Sequence, residues 1–284
     1  MKYIFAVFAI ILCNFLFLFS PFLNIDNFIY DILMILSFPY DSKYEIAVVE
    51  IDEESLKFLG RWPWKRELIA QLITNILKEE PKILCIDIGF FEKSENDKFL
   101  IDALKSEIPI VLPIFLAKEE PLTIKFPPKE LLHPNVYLGH LHILIDSDGE
   151  VRRIPSRIKF KGMEYPSFSV QAARVLNFNK KIPAEINIFY QTPEPFLFYS
   201  ALKVLEGNNL NLKEKIVFLG GTSEGLWDSF LTPISSSSHL TPGVLIQAHA
   251  FRTVVSNKSI KTLNQFGKVI LSFLLILFFI ILKR

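Results

Sequence analysis

The sequence predicts a mixed α/β domain, with a largely parallel sheet, flanking helices and an antiparallel portion, held between two transmembrane helices. Its 284 residues suffice for one good-sized domain or two small ones. Between residues 45 and 116, apolar strand-like runs alternate with segments of helical periodicity, which is the pattern of a parallel sheet with crossover helices. Half of all residues are hydrophobic, and the excess lies at the two ends of the chain.

The first apolar segment, Tyr3 to Phe19, carries no charge and a single amide, Asn14. As a helix it would rise about 25 Å, which is enough for the hydrocarbon core of a membrane. A cleaved signal peptide is the alternative, but Ser20-Pro21 follows the segment instead of a small-residue cleavage site. Residues 1–21 are therefore predicted to be an uncleaved transmembrane anchor.

The second apolar segment, Phe266 to Leu282, is interrupted only by Gly267, Lys268 and Ser272. Because it is apolar on every side, it fits a membrane span better than a buried core helix. Residues 266–284 are accordingly predicted to form a second transmembrane helix and a short cytoplasmic tail.

The charges around the first span predict its orientation. Lys2 precedes the span, whereas Asp26 and Asp31 follow it, and this asymmetry favours a cytoplasmic N-terminus. Residues 22–265 are therefore expected outside the cytoplasm, periplasmic or extracellular, on a protein of the inner (cytoplasmic) membrane.

The first half of this region is predicted to be a parallel sheet with crossover helices. A helix over residues 24–38 precedes the sheet and is ended by Pro39. Apolar runs rich in Val and Ile predict buried strands, and apolar residues at spacings of three and four predict the helices between them. The predicted strands are 45–52, 82–91 and 108–116, and the predicted helices are 68–77 and 96–106.

The second half is predicted to mix antiparallel and parallel pairing. Residues 137–168 fit antiparallel strands joined by a turn at residues 146–149, which read DSDG. Thr241 is expected to cap the last helix, with Pro242 at its first position. The other predicted elements are strands 186–190 and 215–223 and helices 169–176, 200–207 and 244–256.

Charge and cysteine content bound the remaining choices. The net charge is +1, and no basic stripe suggests a nucleic-acid partner. Cys13 lies within the first predicted span and Cys85 within an apolar run, so they cannot form a disulfide with each other. The domain must therefore be stabilised by its hydrophobic core.

Several blocks of the chain, in their order, resemble the type-two CHASE domain, an extracytoplasmic sensor of bacterial transmembrane receptors. The most specific are GRWPW at residues 60–64 and DSDGEVRRIP at residues 146–155, and the resemblance covers about residues 24–260. It implies a sensory domain rather than an enzyme. Because the family's output domains usually work as dimers, it also suggests a homodimer. The other blocks are VEIDEESLKFL, CIDIGFFE, LGHLHILI, YPSFSVQAAR, KIVFLGGTSEGLWDSFLTP and TPGVLIQAHA.

Two departures from the family pattern bear on the output. Members usually follow the sensor with three spans and a cytoplasmic cyclase, kinase or diguanylate enzyme, whereas here one predicted span precedes Lys283-Arg284. The output is therefore expected from a cytoplasmic or membrane signalling partner, or from a C-terminal part absent from this sequence. Members also often carry His at the position of Gln247 and Asn at that of His249, so a role for the family's histidine is not carried over.

Acidic residues end two predicted strands that are expected to be neighbours. Ligands of parallel α/β sheets bind beyond the carboxyl ends of the strands, where Asp52 and Asp87 are placed. Two acids there could take a cation, an amine or a donor-rich ligand. The alternative is that they cap the following helices or pair with Arg61 or Arg66. Catalysis is not expected, because no serine, cysteine or histidine lies nearby in a nucleophile motif.

The GRWPW block must turn the chain from the first strand into a helix. Pro63 pre-sets its own φ, and tryptophans supply large apolar area at little entropic cost. Trp64 is predicted to pin the helix to the sheet. For Arg61 and Trp62, pinning and ligand contact stay open as equal alternatives.

Two other motifs are interpreted as turns. DSDG begins like a calcium loop, but no acid follows at the later ligand positions. Gly220-Gly221 follows a strand as a phosphate loop does, yet no G-K-[ST] completes it. A tight turn there would bring Thr222, Glu224 and Asp228 to the edge that carries the strand-end acids. No metal site and no cofactor are expected.

These observations predict a membrane-anchored extracytoplasmic sensory domain that detects an unknown small molecule or envelope ligand and passes the signal across the membrane. Two alternatives stay open, an anchored envelope hydrolase that uses the strand-end acids and a module that binds a peptide or protein partner. The ligand-binding candidates are Asp52, Arg61, Trp62, Asp87, Thr222 and Asp228.

Overall fold

The computed structural model describes residues 42–117, 123–207, 210–226, 228–235 and 239–258, together with positions 27, 30–32, 34 and 270. The first predicted span, all of the second except Ile270, and most of the predicted helix 24–38 lie outside the described residues. The chain divides into two compact units, one of Phe38–Ser259 and one of the terminal segments Met1–Ser37 and Ile260–Arg284. Among the described residues, no helix combines the length and the apolar character that a membrane crossing requires.

The unit Phe38–Ser259 contains fourteen named strands and six α-helices within its described residues. The strands are β1 Ile46–Ile51, β2 Ile83–Asp87, β3 Ile110–Ala117, β4 Thr123–Lys125, β5 Val136–His140, β6 Leu144–Ile145, β7 Val151–Pro155, β8 Arg157–Phe160, β9 Met163–Pro166, β10 Glu185–Asn187, β11 Leu197–Ser200, β12 Ile216–Gly221, β13 Ser229–Phe230 and β14 Thr241–Pro242. The helices are α1 Glu53–Leu59, α2 Arg66–Lys78, α3 Asp97–Leu104, α4 Phe168–Val175, α5 Ala201–Leu205 and α6 Gly243–Ser256.

The main sheet has the strand order β11-β1-β12-β2-β3, and β3 pairs with β5 along its first half and with β4 along its second. Every pair is parallel except β3–β4. The expectation that the strands leading to Asp52 and Asp87 are neighbours is wrong, because β12 lies between them. The crossover from β1 to β2 therefore skips one strand position in the sheet. That position is occupied by β12, which comes much later in the sequence.

Helices cover both faces of the sheet. On one face, α2, α3 and α5 pack on alternate strand residues such as Val49 and Leu219. On the other face, the Phe218 ring lies 6.4 Å from that of Phe168 in α4 and 5.8 Å from that of Phe251 in α6. The strands therefore bury both of their faces, as continuous apolar runs predict for parallel sheets.

The antiparallel portion is built from short pairs, β10-β7-β6, β8-β9 and β13-β14. The turn predicted at residues 146–149 is confirmed: the Gly149 N–H donates to the Asp146 carbonyl at 2.9 Å, and Gly149 adopts φ +89°. The predicted Thr241 cap is wrong. The helix begins at Gly243 without a side-chain cap, and the Thr241 hydroxyl pairs with that of Thr232 at 2.7 Å.

The last helix, α6, is enclosed by the rest of the domain. Every residue from Val244 to Val254 is buried, including the polar side chains of Gln247, His249 and Arg252. It packs against β12, α4, β10 and β14. An ordinary surface helix buries only one stripe, so α6 is a core element of the sheet's second face.

Candidate functional site

A cavity of about 510 Å³ lies at the carboxyl ends of the parallel strands, and we call it the strand-end cavity. This volume is within the range of small-molecule sites. Its walls come from the loop before α2, from the chain after β2 and from the chain after β12. The residues that line it are Ile51, Trp62, Pro63, Trp64, Lys65, Arg66, Ile69, Asp87, Ile88, Gly89, Glu92, Lys93, Ser94, Asn96, Gly221, Leu226 and Asp228.

A second depression, of about 340 Å³, lies between α2 and α3 and away from the strand ends. Its lining consists of residues of these two helices, Glu67, Ala70, Gln71, Thr74, Phe99, Asp102 and Ala103. The strand-end cavity is the better candidate site, because crevices beyond the strand termini are where parallel α/β sheets bind ligands.

Two candidate acids, Asp87 and Asp228, meet in the strand-end cavity. The Asp87 carboxyl is ringed by protein atoms, although the residue keeps some surface toward the cavity. Burial, reinforced by the neighbouring Asp228, raises the pKa of Asp87 well above its usual range. Burial likewise raises the pKa of Asp228, which is the more exposed of the two. Ionisation of both carboxyl groups together is therefore less favourable than in two free aspartates.

Two glycines allow the chain to pack closely around this acid pair, because neither has a side chain. A Cβ on Gly220 would lie 2.7 Å from the Val244 Cβ and 3.2 Å from the Asp87 Cβ. A Cβ on Gly243 would lie 2.6 Å from Oδ2 of Asp228, and the Gly243 N–H donates to the Asp228 carbonyl at 2.9 Å. The start of α6 thus contacts one of the cavity's two acids directly.

The cationic residues of the lining are largely engaged with acids outside it. Arg66 Nε lies 3.3 Å from Oδ1 of Asp97, and its guanidinium also lies over the Phe90 ring at 4.7 Å. Lys93 Nζ lies 2.5 Å from Oε1 of Glu130. The sequence predicted Arg66 as a possible partner of the strand-end acids, but it did not reveal that Arg66 pairs with Asp97 or that Lys93 lines the cavity. The only local signal was the position of Arg66, two residues after the end of GRWPW.

The two tryptophans of GRWPW differ in their surroundings: Trp64 is part of the core, and Trp62 borders the cavity. Trp64 is 6% exposed, and its indole N–H donates to the Gly60 carbonyl at 2.9 Å, so the predicted pinning role is confirmed. Trp62 packs edge-on against Trp64 at 5.7 Å between ring centroids, stays half-buried and lines the strand-end cavity. Arg61 is exposed and is not among the lining residues.

The other two candidates lie in a hydrogen-bonded group beside the cavity. Oδ1 of Asp52 accepts a hydrogen bond from the Ser55 N–H at 2.8 Å, so Asp52 is the N-cap of α1. The alternative prediction that this acid caps the following helix is confirmed. The same oxygen accepts from the Ser200 hydroxyl at 3.1 Å. Thr222 is bonded to the side chain of Glu50, whose pKa is raised by burial. These contacts join β1, β11 and β12, and neither Asp52 nor Thr222 lines the cavity.

The DSDGEVRR block forms a second group of acids, the Arg152 cluster, composed of Asp146, Asp148, Glu150, Arg152 and Arg153. The Arg152 guanidinium lies 3.1 Å from Asp146, 2.9 Å from Asp148 and 2.7 Å from Glu150. Arg153 lies 2.9 Å from Asp146 on its other oxygen. The acids of this block are thus paired with the arginines that follow them within the same block.

Histidines supply no evidence of a metal. In the described part of the chain, no three or more His, Cys, Asp or Glu side chains are placed to hold an ion together. Burial lowers the pKa of both His140 and His249 to about 3. The His249 ring lies against Phe196 at 4.7 Å and Tyr190 at 5.3 Å, and neither of its nitrogens has a hydrogen-bond partner.

Comparison with known proteins gives one result. The family model described as CHASE2 domain matches residues 6–282, which includes every block on which the sequence resemblance depended. The predicted resemblance is therefore confirmed. Neither a curated protein nor a solved structure is similar enough to the chain to count as a match.

Proposed function

Because the chain belongs to the CHASE2 domain family, a family of sensory domains, we propose that it is a membrane-anchored extracytoplasmic sensor whose ligand binds in the strand-end cavity. The two apolar end segments supply the anchors in this proposal, and the unit Phe38–Ser259 supplies the receptor. The signal passes to a signalling partner or to an output that follows the second anchor.

One observation carries this proposal: the acid pair of the cavity touches the first residue of α6. The Asp228 carboxylate lies against Gly243, and the main-chain carbonyl oxygen of Asp228 accepts a hydrogen bond from the Gly243 N–H. The helix ends at Ser256, and residues 257–265 lead from it to the apolar segment that begins at Phe266. A ligand that moves Asp228 therefore acts on the one helix that continues toward the second anchor.

The sensor needs two arrangements for which the ligand has different affinities. We place the difference in the contact between β12 and α6, which Gly220 keeps close. Binding that repositions Asp87 or Asp228 favours one packing of α6 on the sheet over another. A catalytic role draws no support from the site, because Asp52 is engaged as a helix cap and β12 separates its strand from that of Asp87.

The proposal is tested first by ligand capture. The full chain, purified in detergent, is mixed with fractions of a metabolite extract, and its thermal unfolding is recorded. At least one fraction should raise the midpoint, and Trp62→Ala should abolish that rise, since Trp62 lines the cavity. Arg61→Ala, which changes an exposed neighbour outside the lining, is the matched control and should respond as the unaltered chain does. If no fraction raises the midpoint, the cavity is not a metabolite receptor.

A second test concerns topology and coupling. Reporters fused after Ser42 and after Ser236 should be active only outside the cytoplasm. Replacing residues 257–264 with a flexible Gly-Ser segment of equal length should uncouple ligand binding from the cellular response, whereas the same replacement of the serine run 235–238 should not. Cytoplasmic activity of either fusion, or an intact response after the first replacement, contradicts the proposed signalling route.

A further inference from the structure

We infer that the strand-end cavity recognises an organic ammonium compound with an apolar body. This inference rests on the proposed function, since it names the chemical class that the proposed sensor site accepts. Three observations support it: the balance of charge in the lining, the absence of a hydrogen-bond donor to the acid pair among the described residues, and the apolar residues of the lining.

The lining carries more unpaired acid than unpaired base. Its cations are Lys65, Arg66 and Lys93, and of these Arg66 pairs with Asp97 and Lys93 with Glu130, two acids outside the lining. Three lining carboxyl groups, those of Asp87, Glu92 and Asp228, then face a single lysine that forms no ion pair with a described residue. When all are ionised, the cavity has an excess of two negative charges, which a cationic ligand neutralises.

The acid pair also lacks hydrogen-bond donors from the protein. No described residue donates a hydrogen bond to the carboxyl group of Asp87 or of Asp228, although protein atoms ring the first of them. Asp87 is half-buried and Asp228 is exposed, so both can be reached by a ligand, and a charged N–H group is a strong hydrogen-bond donor to a carboxylate. The N⁺–H groups of a bound ammonium would donate hydrogen bonds to these carboxyl groups, which no described residue does.

The remaining wall is apolar and aromatic. Trp62, Ile51, Ile69 and Leu226 line it, and the Trp62 ring offers the electron-rich face that attracts ammonium groups. A bare metal ion would make no use of this surface. The described residues also contain no set of three or more side chains placed to ligate one. The wall therefore favours an organic cation over an inorganic one.

The experiment compares matched probes on the full chain in detergent by calorimetry and thermal unfolding. Phenethylamine and benzylamine are the cationic probes, 2-phenylethanol is the neutral counterpart, 3-phenylpropanoate is the anion, and Ca²⁺ and Mg²⁺ are the metal arm. At least one cationic probe should bind and raise the unfolding midpoint, while the alcohol, the carboxylate and the metals should not.

Variants locate the effect. Asp87→Asn and Asp228→Asn should each weaken binding of the cationic probe by at least about tenfold, as loss of one charged contact implies. Asp102→Asn removes the same charge from an exposed site on α3, where Asp102 pairs with Lys105, and should leave the affinity unchanged. Gly243→Ala, which crowds the Asp228 carboxylate without altering any charge, should also weaken binding.

Proton release gives an independent readout. The charged groups that line the cavity with the acid pair are Lys65, Arg66, Glu92 and Lys93, and burial raises the pKa of both acids of the pair. An ammonium probe should therefore displace protons, so that its affinity rises with pH and its binding heat depends on the ionisation enthalpy of the buffer. Asp87→Asn should reduce both effects.

Several outcomes overturn the inference. Equal binding of the alcohol or the carboxylate, undiminished binding to both asparagine variants, or stabilisation by metals alone would each do so, as would no response to either ammonium probe at millimolar concentration. If a metabolite fraction still stabilises the chain in that case, the proposed sensor function stands and only the ligand class is wrong. If no fraction does, both fail.

Discussion

The Arg152 cluster and the strand-end cavity are both built around carboxylates, yet the chain treats them in opposite ways. In the Arg152 cluster, Asp146 and Arg152 are 6% and 5% exposed, and three acids converge on one guanidinium. In the cavity, Asp87 and Asp228 adjoin each other, and two of the three cations of the lining, Arg66 and Lys93, are paired with acids outside it. Arginines neutralise the acids of the first group, whereas only Lys65 is left to balance the acids of the second.

This difference separates two uses of acidic residues. A buried carboxylate with a hydrogen-bonded cation fixes local structure, and removing either partner exposes the other to the full cost of an unpaired charge. A pair of adjoining carboxyls disfavours ionisation and stabilises nothing by itself. The Arg152 cluster is therefore expected to govern folding of the antiparallel portion, whereas the acid pair is available for binding.

The largest expected effect is at Arg152. Arg152→Met leaves Asp146, Asp148 and Glu150 without their shared cation, and the free energy of unfolding should fall by about 3–5 kcal/mol. Denaturant unfolding of the full chain measures it. Arg157→Met, which removes an arginine 42% exposed and paired with Glu164, is the control and should cost less than about 1 kcal/mol. Equal losses in the two variants would erase the contrast between buried and exposed pairs.

The next effect concerns the packing that holds the acid pair. Gly220→Ala places a methyl group 2.7 Å from the Val244 Cβ, and the resulting overpacking should cost about 1–3 kcal/mol. Gly225→Ala, whose new Cβ would meet nothing closer than the Ser223 hydroxyl at 3.6 Å, is the control and should be tolerated. Thermal unfolding compares them. If Gly220→Ala is as stable as Gly225→Ala, β12 and α6 are not held closely together.

A smaller effect of opposite sign is expected at Asp87. At neutral pH, Asp87→Asn should stabilise the domain by about 1 kcal/mol, because it removes a poorly satisfied enclosed acid. The pKa of Asp87 is raised in the folded state, so the folded chain binds more protons than the unfolded chain above the ordinary value of 3.8. Stability is therefore lost as pH rises from that value through the folded pKa, and the variant should lose less of it. Denaturant unfolding over a pH series is the measurement, and a destabilised variant would show that Asp87 has a structural partner.

Substitution of His249 is expected to change the free energy of unfolding least at neutral pH. Its effect should appear on the acid side of the pH profile. Burial, and then the nearby Arg252, lower the pKa of His249 to about 3, against 6.5 for the ordinary side chain. Its contribution is therefore present above pH 6.5 and is lost as pH falls toward 3. His249→Phe should make the acid limb shallower by up to about 1.4 kcal/mol per pH unit. Part of the slope of stability against pH should remain in this variant, because the pKa of His140 is lowered in the same way. An unchanged profile would mean that His249 does not contribute to the slope.

The sequence predicted most of the fold because strand and helix periodicity is local. The apolar runs gave β1, β2, β3 and β12, and the spacing of apolar residues gave α2. It did not reveal α1, since seven residues between a strand and GRWPW are too few for a periodic signal. It also could not give the strand order, because β12 and β11 reach the sheet from more than a hundred residues further along the chain.

The same distinction between local and distant information applies to the site. Asp87, Asp228 and Trp62 could be placed near the strand ends from their positions after strands or in GRWPW, and all three line the cavity. Which acids are paired is a matter of tertiary contacts. Only those contacts show that Asp52 caps α1 and that Arg66 is paired with Asp97.

The burial of α6 on all sides has a consequence for how any signal would pass through it. Close-packed interiors resist gradual deformation, and an enclosed element exchanges one set of interlocking neighbours for another instead of sliding by small amounts. With Val244 to Val254 all enclosed, α6 has no solvated side along which to drift. If the domain is the proposed receptor, α6 would switch between discrete packings, so that each molecule reports presence or absence and a graded response arises from the fraction of molecules that have switched.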